Sequence, residues 1–204
     1  MAAPDAPPVE ERLLAAAEEL FGKHSYRHTT VADLCAAAGI ATGSFYLYFD
    51  SKKELFTALV RRINAEMRTA MRAAIDRTDG SQRAVERAAF GAYLDRMSHR
   101  PWTYRIIRES EFVAPGLFQE YYERLARGYA RGVRRAQLAG EIDPDYDPEV
   151  IAYVYTGVGH FVGLRWAEWT AGGRVPDDVV DDMLEVLARG LPPRKRHEEE
   201  EAAG

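Results

Sequence analysis

"AGIATGSFYLYF", residues 38–49, carries no charge and ends in a run of aromatics. Two tyrosines and a serine do not suit a helix buried on all sides, and Phe45, Leu47 and Phe49 do not suit a free loop. The stretch therefore needs two faces. On a helix starting near Thr42, Phe45 and Phe49 stand four residues apart and turn together towards a core with Leu34 and Ile40. Thr42, Gly43, Tyr46 and Leu47 are left facing outward.

The flanks support this reading. "Thr30-Val-Ala-Asp33" has the spacing of a capping box, with a Thr N-cap and an acid three residues on. It opens a short helix that stops at Gly39, where the turn needs a positive φ. Two short helices joined by so tight a turn make a helix-turn-helix, the unit that lays its second helix in the major groove of DNA. Gly43 then lets the backbone come close. Thr42, Ser44 and Tyr46 offer hydroxyls to base edges or phosphates, Leu47 offers contact to a thymine methyl, and Tyr48 points sideways to a phosphate. "Ser51-Lys-Lys-Glu54" is a second capping box, and Lys52 adds a cation in the first turn of the helix it opens.

Residues 29–56, "TTVADLCAAAGIATGSFYLYFDSKKELF", resemble the signature of TetR-type regulators: a T-T-V start, A-G-I in the turn, G-x-F-Y-x-x-F, then S-K-x-x-L. The resemblance covers roughly residues 9–60. It implies an all-α fold, with a three-helix DNA-binding domain joined to a larger helical-bundle domain for ligand binding and dimerisation. It also implies a homodimer that binds a palindromic operator on double-stranded DNA and releases it to a small-molecule effector. By position it marks Thr29, Thr30, Thr42, Gly43, Ser44, Tyr46, Tyr48 and Lys52 as facing DNA. The chain departs from the pattern where many members have a basic residue (Thr42), often a histidine (Tyr48) or often a glycine (Ser25). The domains are expected at 9–54 and 55–190, with flexible termini at 1–8 and 191–204.

Composition agrees with a globular protein. The 204 residues are 47% hydrophobic and 29% charged, enough for a sizeable core. No apolar run reaches the roughly 20 residues that span a bilayer, and no basic stretch leads into an apolar one at the start. With Cys35 as the single cysteine, no internal disulfide can form, and a reducing, cytoplasmic setting is expected. The formal net charge of −5 argues mildly against nucleic acid. Locally, however, Lys23, His24, Arg27 and His28 precede the motif, and Lys52, Lys53, Arg61 and Arg62 follow it.

Helical periodicity continues throughout. A first helix is expected from Val9 to Gly22, and a long one after Ser51 with a stripe from Leu55 to Ile75. Others follow over 81–99, 101–110, 115–139, Pro148 to about Thr170, and Pro176 to Arg189. Large aromatics with a few polar groups gather along 99–122 and 150–169. Trp102, Arg105, Arg108, Phe112, Phe118, Tyr122, Tyr155 and His160 are candidates to line a pocket for an apolar or aromatic ligand, with Arg105 or Arg108 holding a carboxylate or phosphate. Aromatics at helical spacing also make plain core, and a core histidine is the other reading of His160. Gly159 and Gly163 form a smooth strip that suits a dimer contact with Val180 and Leu184, or packing inside one subunit.

The rival function is a helical small-molecule-binding protein or enzyme that does not bind DNA. The chain has no Glu-x-x-His pair, no G-x-S-x-G and no phosphate-binding glycine loop, so no enzyme, cofactor or metal is expected.

Overall fold

Prolines and caps set where the first helices begin. Pro8 precedes α1 (Val9–His28), whose first turn carries Glu10 and Glu11 at the positive end of the helix dipole. In α2 (Val31–Ala38) the Thr30 hydroxyl accepts from the Asp33 amide while the Asp33 carboxylate accepts from the Thr30 amide, so the capping box is complete. Gly39 follows at φ 66°, ψ 41°. Its amide donates to the Ala36 carbonyl and the Ile40 amide to the Cys35 carbonyl, the paired bonds of a Schellman ending. A 3-10 helix spans Thr42–Leu47, and α3 (Lys52–Ile75) begins where Ser51 accepts from the Glu54 amide.

The computed structural model describes residues 7–170 and 173–190. The termini expected to be flexible lie outside these residues, apart from Pro7 and Pro8. Beyond α3 come α4 (Gln82–His99), α5 (Thr103–Val113), α6 (Leu117–Leu138), α7 (Pro148–Gly163) and α8 (Asp177–Gly190), with a π-helical turn over Leu164–Glu168. Every regular element among the described residues is helical, as the periodicity predicts. The fold is all-α.

α1 packs on α2, α3 and α5; α4 sits between α3 on one side and α7 and α8 on the other; α6 runs along α7 and touches α3 and α5. One connected core extends from Leu13 to Leu187. α3 belongs to both halves. At about 1.5 Å per residue its 24 residues cover some 36 Å, from the helix-turn-helix into the bundle.

Two expectations change. The first helix does not stop at Gly22, because Gly22 is a contact rather than a cap: a Cβ there would lie 2.7 Å from the Trp102 ring. The chain bends instead at Ser25, at φ 72° and ψ 160°. The outward-facing segment is 3-10 rather than α-helical. It is six residues long, has no side-chain N-cap and contains a glycine, so the tighter i→i+3 pattern prevails.

Candidate functional site

Phe45 is fully buried and Phe49 nearly so, their ring centroids 6.0 Å apart, and they fix the segment to the core. Tyr46 is 59% exposed, Leu47 80% and Tyr48 44%. Thr42 and Gly43 are exposed beside them, and Ser44 is half-buried. A Cβ at Gly43 would meet nothing within 4 Å, so the approach to the backbone is open. The two-faced reading of this stretch describes what the structure places there: three large apolar or aromatic side chains in water, held from behind by two phenylalanines.

The polar flanks differ from expectation. Thr29 is only 2% exposed, and its hydroxyl donates to the Ser25 carbonyl at 2.9 Å, so it braces the bend in α1 and does not face outward. Thr30 is exposed, but its hydroxyl and amide are held by Asp33, which keeps that carboxyl below its usual pKa range. Lys52 is half-buried. Its ammonium donates to the carbonyls of Tyr26 (2.8 Å) and Thr29 (2.7 Å) and lies 4.2 Å from the Tyr26 ring centre. Burial pushes its pKa down. Lys52 therefore closes the C-terminal end of α1, where carbonyls lack helical partners, and has one N–H left for a phosphate.

Of the other cations around the motif, Lys23, Arg61 and Arg62 pair with Glu19, Glu120 and Glu18. Arg27 and Lys53 are exposed without an ion pair among the described residues. They are the freer cations beside the exposed strip.

A cavity of about 830 Å³ opens elsewhere, between the second half of α3, the start of α4 and the second half of α6. Met71, Ile75, Val85, Ala89, Leu125 and Val133 give it apolar walls. Tyr129 and Tyr155 add ring faces, and burial pushes both phenols well above their ordinary pKa. Asp76 and Glu86 are its carboxylates; the Tyr155 hydroxyl and the Gln82 amide (2.6 Å) both donate to Glu86 Oε1. Arg68, Arg72, Arg131, Arg134 and Arg135 also line the cavity. Of the residues expected to line a pocket, Tyr155 alone does so here. The missed signal was in α6, where Gly128 and Gly132 stand four apart among large residues and a Cβ on either would meet nothing within 4 Å.

Residues 13–59 match the family described as bacterial regulatory proteins, tetR family. Over this segment, which runs from α1 through the helix-turn-helix into α3, the chain is similar to the TetR family. It is 33% identical over 109 residues to the HTH-type transcriptional activator FasR of Mycolicibacterium smegmatis, covering 52% of this chain and about half (49%) of that protein. It is 26% identical over 193 residues to the HTH-type transcriptional repressor KstR2 of Rhodococcus jostii, covering 88% of this chain and 89% of that one. Its fold is similar to that of the transcriptional regulator FadR from Bacillus subtilis, solved in complex with stearoyl-CoA, with a TM-score of 0.79, 17% identity and coverage of 89% and 99%.

The remaining sequence candidates scatter. Arg105 donates to the Gly22 carbonyl at 2.8 Å, and Trp102 packs on Gly22, so both serve the α1–α5 contact. Arg108 forms a two-pronged pair with Glu168 (2.8 and 2.7 Å) and is not free for a ligand carboxylate. Phe112 is 82% exposed. Phe118, Tyr122 and His160 do come together: the Tyr122 hydroxyl lies 3.0 Å from His160 Nδ1, and Phe118 stacks edge-on against Tyr122. The three are half-buried against the core, and burial lowers the His160 pKa.

The glycine strip packs within the subunit. A Cβ on Gly159 would come 3.1 Å from Phe90, and one on Gly163 would sit 1.7 Å from the Tyr104 hydroxyl. Val180 and Leu184 are likewise buried among residues of the same chain. These four are therefore interior. Exposed on α7 instead are Val150, Tyr153, Val154 and Phe161. Among the described residues no group of three or more His, Cys, Asp or Glu is placed to hold a metal ion, and no helix is long and apolar enough to cross a membrane.

Proposed function

We propose that this chain is a ligand-responsive transcriptional repressor that binds an inverted-repeat operator as a homodimer and lets go when a small apolar molecule fills the α3–α4–α6 cavity. The observation that carries DNA binding is the exposed, uncharged Tyr46–Leu47–Tyr48 strip, anchored by buried Phe45 and Phe49 after a Schellman-ended helix. Thr42, Ser44 and Tyr46 read base edges or phosphates, Leu47 meets a thymine methyl, and Arg27, Lys53 and the free N–H of Lys52 hold the backbone. The near full-length match to a named repressor supports repression over activation. A small molecule as effector is supported by the FadR relative solved with stearoyl-CoA.

Residues 9–54 read DNA and 55–190 bind effector and partner. Val150, Tyr153, Val154 and Phe161 recur at helical spacing as an apolar stripe, with half-buried Gly157 between them. That stripe pairs with its two-fold copy. The signal travels along α3, whose first turn holds the helix-turn-helix and whose last turns wall the cavity. α1 is tied to the bundle by Glu18, which takes Arg62 at 3.1 Å and Arg100 at 2.7 Å, and by the Tyr26 amide on Glu109 at 2.8 Å. A ligand that displaces the end of α3 thus changes how the two reading surfaces are spaced.

The test is selection from random double-stranded DNA by the purified chain, followed by a salt series on the winning sequence. An enriched inverted repeat bound with a salt-dependent affinity is expected. Failure of the folded protein to enrich any sequence would exclude this function.

A further inference from the structure

The effector cavity has an uneven charge distribution, and the reason is visible along α6. Arg124 and Arg127 each have a glutamate four residues earlier, and they pair with Glu120 (2.8 Å) and Glu123 (3.5 Å). The next three arginines break that pattern. Four residues before Arg131 stands Arg127, before Arg134 stands Ala130, and before Arg135 stands Arg131. Arg131, Arg134 and Arg135 are exposed, line the cavity and have no ion pair among the described residues. Like charges three and four apart on a helix repel, at roughly 0.2–0.5 kcal/mol per pair, so the cluster weakens its own helix.

The cluster is not placed for DNA. The stretch of α3 that lines the same cavity, Ala65–Asp76, begins 13 residues beyond Lys52, roughly 20 Å along the helix. The other two arginines of the cavity are engaged, Arg68 with Asn64 (3.1 Å) and Arg72 with Asp76 (2.9 Å). The other walls are largely apolar; Asp76 is paired with Arg72, and Glu86 accepts from Tyr155 and Gln82 through Oε1. A carboxylate there repels an anion from the interior and leaves the arginine mouth as the place for it. The volume, about 830 Å³, lies within the usual range of roughly 300–1,000 Å³ for ligand pockets.

We propose that the effector is an amphipathic anion, with a long apolar tail between α3, α4 and α6 and a carboxylate or phosphate head held by Arg131, Arg134 and Arg135. This rests on the reading of the cavity as the effector site. The bound head relieves the repulsion among the three guanidiniums, and planar guanidinium forks match both carboxylate and phosphate. A free long-chain acid and an acyl thioester on a phosphate-bearing carrier share this chemistry.

Calorimetric titration of the full chain with palmitate, palmitoyl-coenzyme A and hexadecanol separates these sources. One or both anions are expected to bind at least tenfold more tightly than the alcohol; palmitate alone would assign the head as carboxylate, and the thioester alone as phosphate. In an Arg131→Ala/Arg135→Ala variant, checked for an unchanged melting temperature, that preference should shrink at least tenfold. In Arg124→Ala it should persist. Equal binding of hexadecanol and the anions, or a preference untouched by the double variant, would overturn the anionic head while leaving an apolar effector cavity. If none of the three bound, the cavity reading would fall with it.

Discussion

The two ends of α3 solve different recognition problems. At its start, an uncharged strip of six residues stands in water on a base of two phenylalanines, and most of the nearby cations are committed to the protein's own carbonyls and carboxylates. At its far end lies a largely apolar cavity whose lining includes Arg131, Arg134 and Arg135, exposed and without an ion pair among the described residues. The contrast teaches that net charge says little about either site. A chain of net charge −5 carries exposed hydroxyls and rings at one end of α3 and unpaired guanidiniums near the other.

The sharpest way to break this comparison is to separate the two reading surfaces. Val154→Glu with Phe161→Glu puts charge on the exposed stripe of α7, and operator affinity is expected to fall more than a hundredfold as sedimentation shows monomers. Retained dimers would move the partner interface elsewhere. Gly163→Ala tests the interior reading of the glycine strip. With Tyr104 in the way of the new methyl, a loss of about 1–3 kcal/mol is expected by denaturant unfolding. Gly157→Ala, which meets nothing within 4 Å, should change stability little or raise it slightly.

Lys52→Ala sharpens the first half of the comparison. Because its ammonium caps α1, the variant should lose about 1–3 kcal/mol of stability as well as operator affinity. A loss of affinity alone would return Lys52 to the role of a simple phosphate contact. A gain rather than a loss is expected at Ser25, whose backbone angles lie in a region that glycine alone occupies freely. Ser25→Gly should gain about 1 kcal/mol, read as a higher melting temperature.

How much of this was legible in the sequence follows from distance along the chain. Between Thr29 and Phe56 each feature is local: a cap three residues from its partner, a glycine at the turn, two phenylalanines four apart. The family resemblance is centred there, and its wider pattern marked Ser25 as a departure from glycine, a residue that the positive φ would suit. Thr29 misled because a polar residue beside such a motif looks free, and only the bend in α1 shows which carbonyls Thr29 and Lys52 serve. The cavity was not legible. Its walls come from Met71, Val85, Leu125 and Tyr155, on four different helices, and no spacing rule joins them. Aromatic richness pointed to 99–122 and 150–169, and of the candidates named there Tyr155 alone lines the cavity, while Phe112 is exposed and Phe118 and Tyr122 pack half-buried against the core. The glycine strip allows a dimer contact or packing inside the subunit from sequence alone, because smoothness does not say which neighbour approaches; here Phe90 and Tyr104 do.

The most direct test is a titration of the selected operator with the wild-type chain and with Tyr46→Ala/Leu47→Ala, followed by fluorescence anisotropy. Both side chains are exposed, so the melting temperature should not change. With each base contact worth about 1–3 kcal/mol, affinity should fall at least tenfold, and the wild type should saturate at two chains per operator. Equal affinity in the double variant would contradict the placement of the reading surface at residues 42–48.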